Sequence, residues 1–185
     1  VPHFHIPLQS GDDEILTKMR RKYLSDLYID RIARIKKQMP NCCIGVDVIV
    51  GFPGESEEHF MNTYQFLNEL DISYLHVFPY SERNNTTAKK LANKVTKVEK
   101  TDRAKRLRIL SHKKKRHFYE TQLGRDMDVL WEEERQGENM QGFSENYVRF
   151  EAPYDPTRVN MVERLKFSEI NENGLAKASL KEHLQ

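Results

Sequence analysis

The chain has 185 residues, of which 38% are hydrophobic and 31% charged, with a formal net charge of +2. That length suits one ordinary domain, or one with a small companion. No apolar run reaches the length that spans a bilayer, and Val1-Pro-His-Phe-His5 lacks the basic and apolar regions of a leader. A net charge this small requires any nucleic-acid site to come from local clustering. The two cysteines, Cys42 and Cys43, are adjacent. That fits neither a disulfide framework nor a zinc spacing, and they read as buried fillers of a cytoplasmic protein.

In chain order, His3-Phe-His-Ile-Pro-Leu8 is predicted as a short strand, followed by the turn cluster Gln9-Ser-Gly-Asp-Asp13. A strand reading from Val1 without an initiator Met leads us to expect a piece of a longer protein. A helix is predicted from about Ser25 to Met39, because Tyr28, Ile32, Ile35 and Met39 share one face; Pro40-Asn41 ends it. Cys43 to Val50 is the next predicted strand. Ser56 suits the cap of the following helix, with Glu57 and Glu58 in its first turn, where the dipole favours acids. Phe60, Tyr64 and Leu67 give that helix its apolar face. Tyr74 to Pro79 is a third strand, running into the polar loop Tyr80-Ser-Glu-Arg-Asn-Asn-Thr-Thr87.

This alternation predicts parallel βαβ units, whose sheets are normally covered on both faces. A long basic helix is predicted from about Lys97 to Leu123. From Gly124 the texture changes. Met127, Val129 and Trp131 alternate, Gly137 and Gly142 follow, and then come Tyr147-Val-Arg-Phe150, Val159-Asn-Met161, Leu165-Lys-Phe167 and Leu175-Ala-Lys-Ala178. Short strands with turn signals at this interval predict a small β-barrel. The boundary is placed at residue 122: an α/β part over 1–122 and an all-β part over 123–185.

Side chains alternate along a strand. Ile44, Val46, Val48 and Val50 share one face of the second strand, and Gly45, Asp47, Ile49 and Gly51 the other. Phe4, Ile6 and Leu8 oppose His3, His5, Pro7 and Gln9; Leu75 and Val77 oppose His76, Phe78 and Tyr80. The aliphatic faces suit packing against helices. The mixed faces carry His5, Gln9, Asp47 and His76, and an ionised Asp is costly to bury without partners. They suit the lining of a cavity, although an Asp bonded to backbone amides beside two core histidines also fits. Ligands of α/β proteins sit at the carboxyl ends of parallel strands. Here those ends are Gln9-Ser10-Gly11, Gly51-Phe52-Pro53-Gly54-Glu55 and Tyr80-Ser81-Glu82-Arg83.

Four motifs then stand in order: His5-Ile-Pro-Leu-Gln-Ser-Gly-Asp-Asp13, Met19-Arg-Arg-Lys-Tyr23, Asp47-Val-Ile-Val-Gly-Phe-Pro-Gly-Glu55 and Phe78-Pro-Tyr-Ser-Glu-Arg83. Together they resemble the radical S-adenosylmethionine (SAM) methylthiotransferases. The branch most resembled 2-methylthiolates N6-threonylcarbamoyladenosine at position 37 of tRNA. The resemblance covers nearly the whole chain, and Gly142-Phe-Ser-Glu-Asn-Tyr147 looks like that family's RNA-binding TRAM domain. It implies the C-terminal part of a partial (β/α)6 barrel followed by a small all-β, OB-like TRAM barrel.

SAM would lie across the strand ends, with Gln9 and Ser10 near its ribose and methionine part. Arg21 would be placed to pair with a carboxylate, which its guanidinium fork suits. Asp47, Ile49 and Phe52 would follow the adenine, with Glu55 in the adjoining turn and Tyr80 and Arg83 on the substrate rim. In the intact enzyme the resemblance implies reductive cleavage of SAM, hydrogen abstraction from C2 of the adenine, and addition of sulfur there. The family holds two [4Fe–4S] clusters, one through C-x-x-x-C-x-x-C and one through three cysteines of an N-terminal domain. Neither set is in this chain, and Cys42-Cys43 lack the spacing. No cluster or other metal is therefore expected on it; the ligands are expected upstream in the same polypeptide, and this piece is expected to be inactive alone. Arg83-Asn-Asn-Thr-Thr-Ala88 departs from the family's Gly-Thr-Pro: Asn85 can replace Gly in a left-handed turn, but Thr87 loses the rigidity of Pro.

Between Lys97 and Arg116 stand ten Lys or Arg. Some form an ordinary solvated helix face. Arg103, Arg106 and Lys113 fall near one face, Lys114, Lys115 and Arg116 complete the run, and Ala104, Leu107 and Leu110 form a thin apolar stripe. Beside a barrel with Phe143, Tyr147 and Phe150 read as exposed, this is a candidate RNA footprint, and tRNA is the partner the resemblance implies. Relatives acting on isopentenyladenosine or on a ribosomal protein share the motifs. Two other classes fit the residues: a metal-dependent barrel hydrolase using His5, Asp47 and His76, and a non-catalytic RNA-binding module.

Overall fold

The computed structural model describes residues 1–82, 88 and 91–179. Arg83, Asn85 and Thr87 lie outside them. The chain divides into two compact units, Phe4–Pro40 with Ile44–Lys114, and Val1–His3 with Asn41–Cys43 and Lys115–Gln185. The long basic helix crosses from one to the other, and residue 122 is its last.

The α/β unit is built on β1 (His3–His5), α1 (Asp13–Lys18), α2 (Ser25–Gln38), β2 (Cys43–Val50), α3 (Glu57–Glu69), β3 (Tyr74–Pro79) and α4 (Lys97–Gln122). The sheet order is β1-β2-β3. β2 and β3 are parallel, with Asp47 opposite His76 and Val48 opposite Val77. Beyond β1 the chain continues beside β2: Ile6 N–H donates to Gly45 O, and Gln9 bridges Val48 in parallel. Val46, Val48 and Val50 are buried under helices that supply Tyr28 and Ile32 from α2, Phe60 and Leu67 from α3, and Ala104, Leu107 and Leu110 from α4. Asp47 and Ile49, on the other face, are only half-buried. Gly45 permits a close crossing, since a Cβ there would lie 2.3 Å from the Tyr74 ring.

α1 replaces the end of the predicted turn cluster. Its six residues are too few for apolar periodicity to show, and its start is fixed by Asp12, whose carboxylate accepts from Ile15 N–H. Ser56 caps α3, with His59 taking the reciprocal place usual for Glu or Gln.

The second unit contains β4 (Asp126–Gln136), β5 (Asn139–Ser144), β6 (Arg149–Pro153), β7 (Val162–Ile170) and β8 (Ala176–Ser179), closed in the order β4-β5-β6-β8-β7. Its core is Met127, Val129, Trp131, Met140, Val148, Phe150, Phe167 and Ala176, all buried. Two readings of the sequence are corrected here. Phe150 is fully buried and not exposed, because it sits on the inward face of β6. Val159-Asn-Met161 is a turn before β7, not a strand: Asp155 accepts from Thr157 N–H and hydroxyl, and Asn160 takes a φ of 61°.

Candidate functional site

The carboxyl ends of β2 and β3 come together with the segment after α1. A hollow of about 150 Å³ lies there, lined by Lys18, Met19, Arg20, Arg21, Ile49, Phe52 and Tyr80. Ligand pockets commonly enclose ~300–1,000 Å³, so this hollow is too small to enclose a ligand by itself. Phe52 meets Tyr80 edge to face at 5.2 Å. Lys100 lies over the Tyr80 ring at 5.2 Å and donates to Tyr80 O. A Cβ on Gly51 (φ 75°) would lie 2.3 Å from Lys100 Cγ, so glycine is needed both for the turn and for the passage of this side chain.

Of the expected site residues, Arg21, Ile49, Phe52 and Tyr80 share this hollow. Asp47 sits beside it on β2 and accepts from His5 Nε2 at 2.7 Å. His76 stacks on His5 with ring centres 5.1 Å apart. No three His, Cys, Asp or Glu side chains group to hold a metal among the described residues, so His5, Asp47 and His76 form a polar strip and not a ligand set.

Gln9 is held by its backbone, with N–H on Asp47 O and its own carbonyl accepting from Ile49 N–H, at a φ of 78°. Ser10 is buried; its hydroxyl bonds Thr63 and accepts from Asp12 N–H. Its role is to fasten the strand end to α3. Glu55 is also buried. One carboxylate oxygen accepts from Gly51 N–H at 2.8 Å and the other from Arg103 at 2.9 Å. Glu55 thus holds the Gly51–Gly54 turn that presents Phe52. Burial pushes its carboxyl above the usual range, against the opposing pull of Arg103 and the Gly51 amide.

Arg103 is therefore a correction to the expected RNA footprint. It is 3% exposed and committed to Glu55, because it shares the i, i+4, i+7 face of Leu107 and Leu110. Arg106 is partly exposed, pairs with Glu57 and lies over the Phe60 ring. Lys114 donates to the carbonyls of Asn68 and Leu70 at the end of α3. Burial lowers the pKa of Lys114 and of Lys115, and Lys115 lies over Tyr119. Lys113 and Arg116 are exposed, Arg116 pairing with Glu120.

On the barrel, Tyr147 stacks on His3 at 4.1 Å and on Phe143 at 4.6 Å, and Arg149 covers the Phe143 ring at 4.8 Å. The rings of Phe143 and Tyr147 are partners of each other before they are partners of a base. Sequence reasoning missed Lys18, Met19 and Arg20 as lining residues, and Lys100 as the cation over the Tyr80 ring. The first three lie in or beside the Met19-Arg-Arg-Lys-Tyr23 motif, which was their signal; nothing in the sequence brings Lys100 under Gly51.

Residues 1–67 match the Radical SAM superfamily. They belong to it. The chain is 41% identical over 153 residues to the threonylcarbamoyladenosine tRNA methylthiotransferase MtaB of Bacillus subtilis, covering 80% of this chain and 34% of that protein. It is 44% identical over 147 residues to the MtaB of Aquifex aeolicus, covering 80% and 35%. The tRNA-2-methylthio-N(6)-dimethylallyladenosine synthase of Ehrlichia canis matches at 38% over 131 residues, covering 71% and 30%. The chain thus spans about a third of the length of these curated relatives. Among solved structures it resembles the radical SAM enzyme coproporphyrinogen III oxidase (HemN) from Escherichia coli, with a TM-score of 0.52 at 17% identity, covering 61% of this chain and 27% of that one. That likeness concerns the fold alone. The resemblance carried by the four sequence motifs is borne out.

Proposed function

We propose that the chain is the part of a tRNA-modifying radical SAM enzyme that carries one wall of the SAM site and a TRAM-like RNA-binding barrel. The observation that carries this reading is the meeting of Arg21, Ile49, Phe52 and Tyr80 at the carboxyl ends of parallel strands. These residues suit SAM. Arg21 is exposed, and a guanidinium fork matches the methionine carboxylate. Ile49, half-buried, offers an apolar surface for the adenine beside the largely buried Phe52 ring, and Tyr80 stands at the rim. Asp47, fixed by His5, supplies an acceptor beside them. SAM bound here would supply the radical-generating and methylating chemistry of the family. The residues do not fit an iron–sulfur cluster: the two cysteines are adjacent and buried, and no step through a cluster is derived from this chain.

The substrate we propose is N6-threonylcarbamoyladenosine at position 37 of tRNA, with 2-methylthiolation at C2. The names of the more identical relatives support this branch. The full-length protein, reduced and supplied with SAM and hypomodified tRNA, is expected to give the 2-methylthio nucleoside, read by nucleoside mass spectrometry. A product on isopentenyladenosine instead would move the chain to the other branch. No 2-methylthio product on either tRNA would sink the proposal.

A further inference from the structure

α1 ends in an arrangement that normally asks for glycine. Arg20 N–H donates to Thr17 O and Arg21 N–H to Leu16 O, both at 2.9 Å, the paired bonds of a Schellman motif. The residue that must then turn left-handed is Arg20, with a φ of 58°. Glycine holds such positions at no steric cost, whereas an L side chain is strained there. Strained positions of this kind cluster at ligand-binding and active sites.

The side chain that bears the strain lines the hollow with Phe52 and Tyr80. Lys18, on the same wall, is paired with Glu14 and sits against the Gly54 turn, where a Cβ would lie 3.4 Å from its Nζ. Among the described residues no carboxylate forms a salt bridge with Arg20 or Arg21, and both are exposed. Two adjacent guanidinium groups therefore face one small hollow with aromatic walls. The proposed SAM molecule offers one carboxylate, which Arg21 suits. Arg20 remains available to a second anion.

We propose that Arg20 binds a backbone phosphate of the RNA strand that brings the target base to this wall. The assignment rests on the proposed tRNA function. It makes Arg20 a positioning residue for the substrate, with no part in holding SAM. A nucleotide suits the place because it joins an anion to a flat ring, and the wall sets the Arg20 guanidinium on the same hollow as the rim ring of Tyr80.

The test is Arg20→Gly in the full-length protein, with Arg20→Lys beside it. Glycine removes the charge and relieves the backbone, so thermal stability is expected to hold or rise. Filter binding of hypomodified tRNA is expected to weaken about tenfold, and the log–log salt slope to shrink by about 0.7–0.9, the share of one phosphate contact. Arg20→Lys keeps the slope and recovers part of the affinity. SAM affinity, measured by calorimetry, stays at the wild-type value. An unchanged tRNA affinity and slope in Arg20→Gly would overturn the proposal, as would a loss of SAM binding. RNA binding is read here without turnover. A wild-type protein that binds tRNA through Arg20 but yields no 2-methylthio product would contradict the proposed reaction and leave the phosphate contact standing.

Discussion

Replacing Arg103 by Met is expected to destabilise the α/β unit by about 3–5 kcal/mol, because it strands a buried carboxylate. The side chains of Glu55 and Arg103 are 6% and 4% exposed and meet at 2.9 Å. Arg103 Nε lies 3.5 Å from the Glu57 carboxylate and makes no hydrogen bond, so Glu55 is its principal anion. The loss depends on pH with a definite sign. Burial already raises the Glu55 carboxyl, and Arg103 is the strongest influence holding it down. Without Arg103 it rises further. A carboxyl raised in the folded state favours the fold below its ordinary range, and that contribution is lost as pH rises through the folded value. Urea unfolding of Arg103→Met is therefore expected to show the larger loss at about pH 8 and the smaller near pH 5. An equal loss at both would show that Glu55 is not the group left uncompensated. The double variant Glu55→Met with Arg103→Met is expected to recover part of the stability, since apolar pairs replace buried ion pairs well; Gly51 N–H would then lack its acceptor. The same variants loosen the turn beneath Phe52, which links this pair to the proposed SAM wall.

Trp131→Ala is expected to cost the barrel about 3–5 kcal/mol through the cavity it leaves. Trp131 is 1% exposed and donates through its indole N–H to Glu163 at 3.0 Å. Arg158 covers the ring at 4.4 Å and grips the same carboxylate with two bonds. Trp131→Phe keeps most of the packing and removes the indole donor, at about 1 kcal/mol. The Glu163 carboxyl is held below its usual range, first by Arg158 and then by Trp131. A depressed carboxyl stabilises the fold above its unfolded value and loses that contribution as pH falls through the folded one. The Phe variant should therefore lose less stability on acidification than the wild type. Thermal unfolding followed by near-ultraviolet circular dichroism checks both variants; a Trp131→Ala barrel as stable as the wild type would mean that the ring does not carry the core.

Much of the fold was legible because its signals are local. The alternation in β2 separated Val46, Val48 and Val50 from Asp47 and Ile49, and the burial follows that division. Ser56 and the two glutamates after it marked the start of α3. The misreadings have a common cause: a residue type was taken for its environment. Arg103 counted as surface charge, although its spacing to Leu107 and Leu110 put it on the docking face. Phe150 counted as an exposed ring, although it follows the inward Val148. The column of His3, Tyr147 and Phe143 joins residues far apart in the chain, which no local pattern announces. Arg20 hides its backbone, because an arginine gives no sign of a left-handed turn.

The wall around Ile49 and Phe52 is proposed to hold SAM with Arg21 on its carboxylate. Calorimetric titration of SAM into the full-length protein and its Arg21→Ala variant tests this directly. A lost charge-assisted hydrogen bond of ~1.5–3 kcal/mol corresponds to a Kd raised about 10- to 100-fold, with the fold intact by circular dichroism. A well-folded Arg21→Ala protein that binds SAM as tightly as the wild type would contradict the placement of the cofactor on this wall.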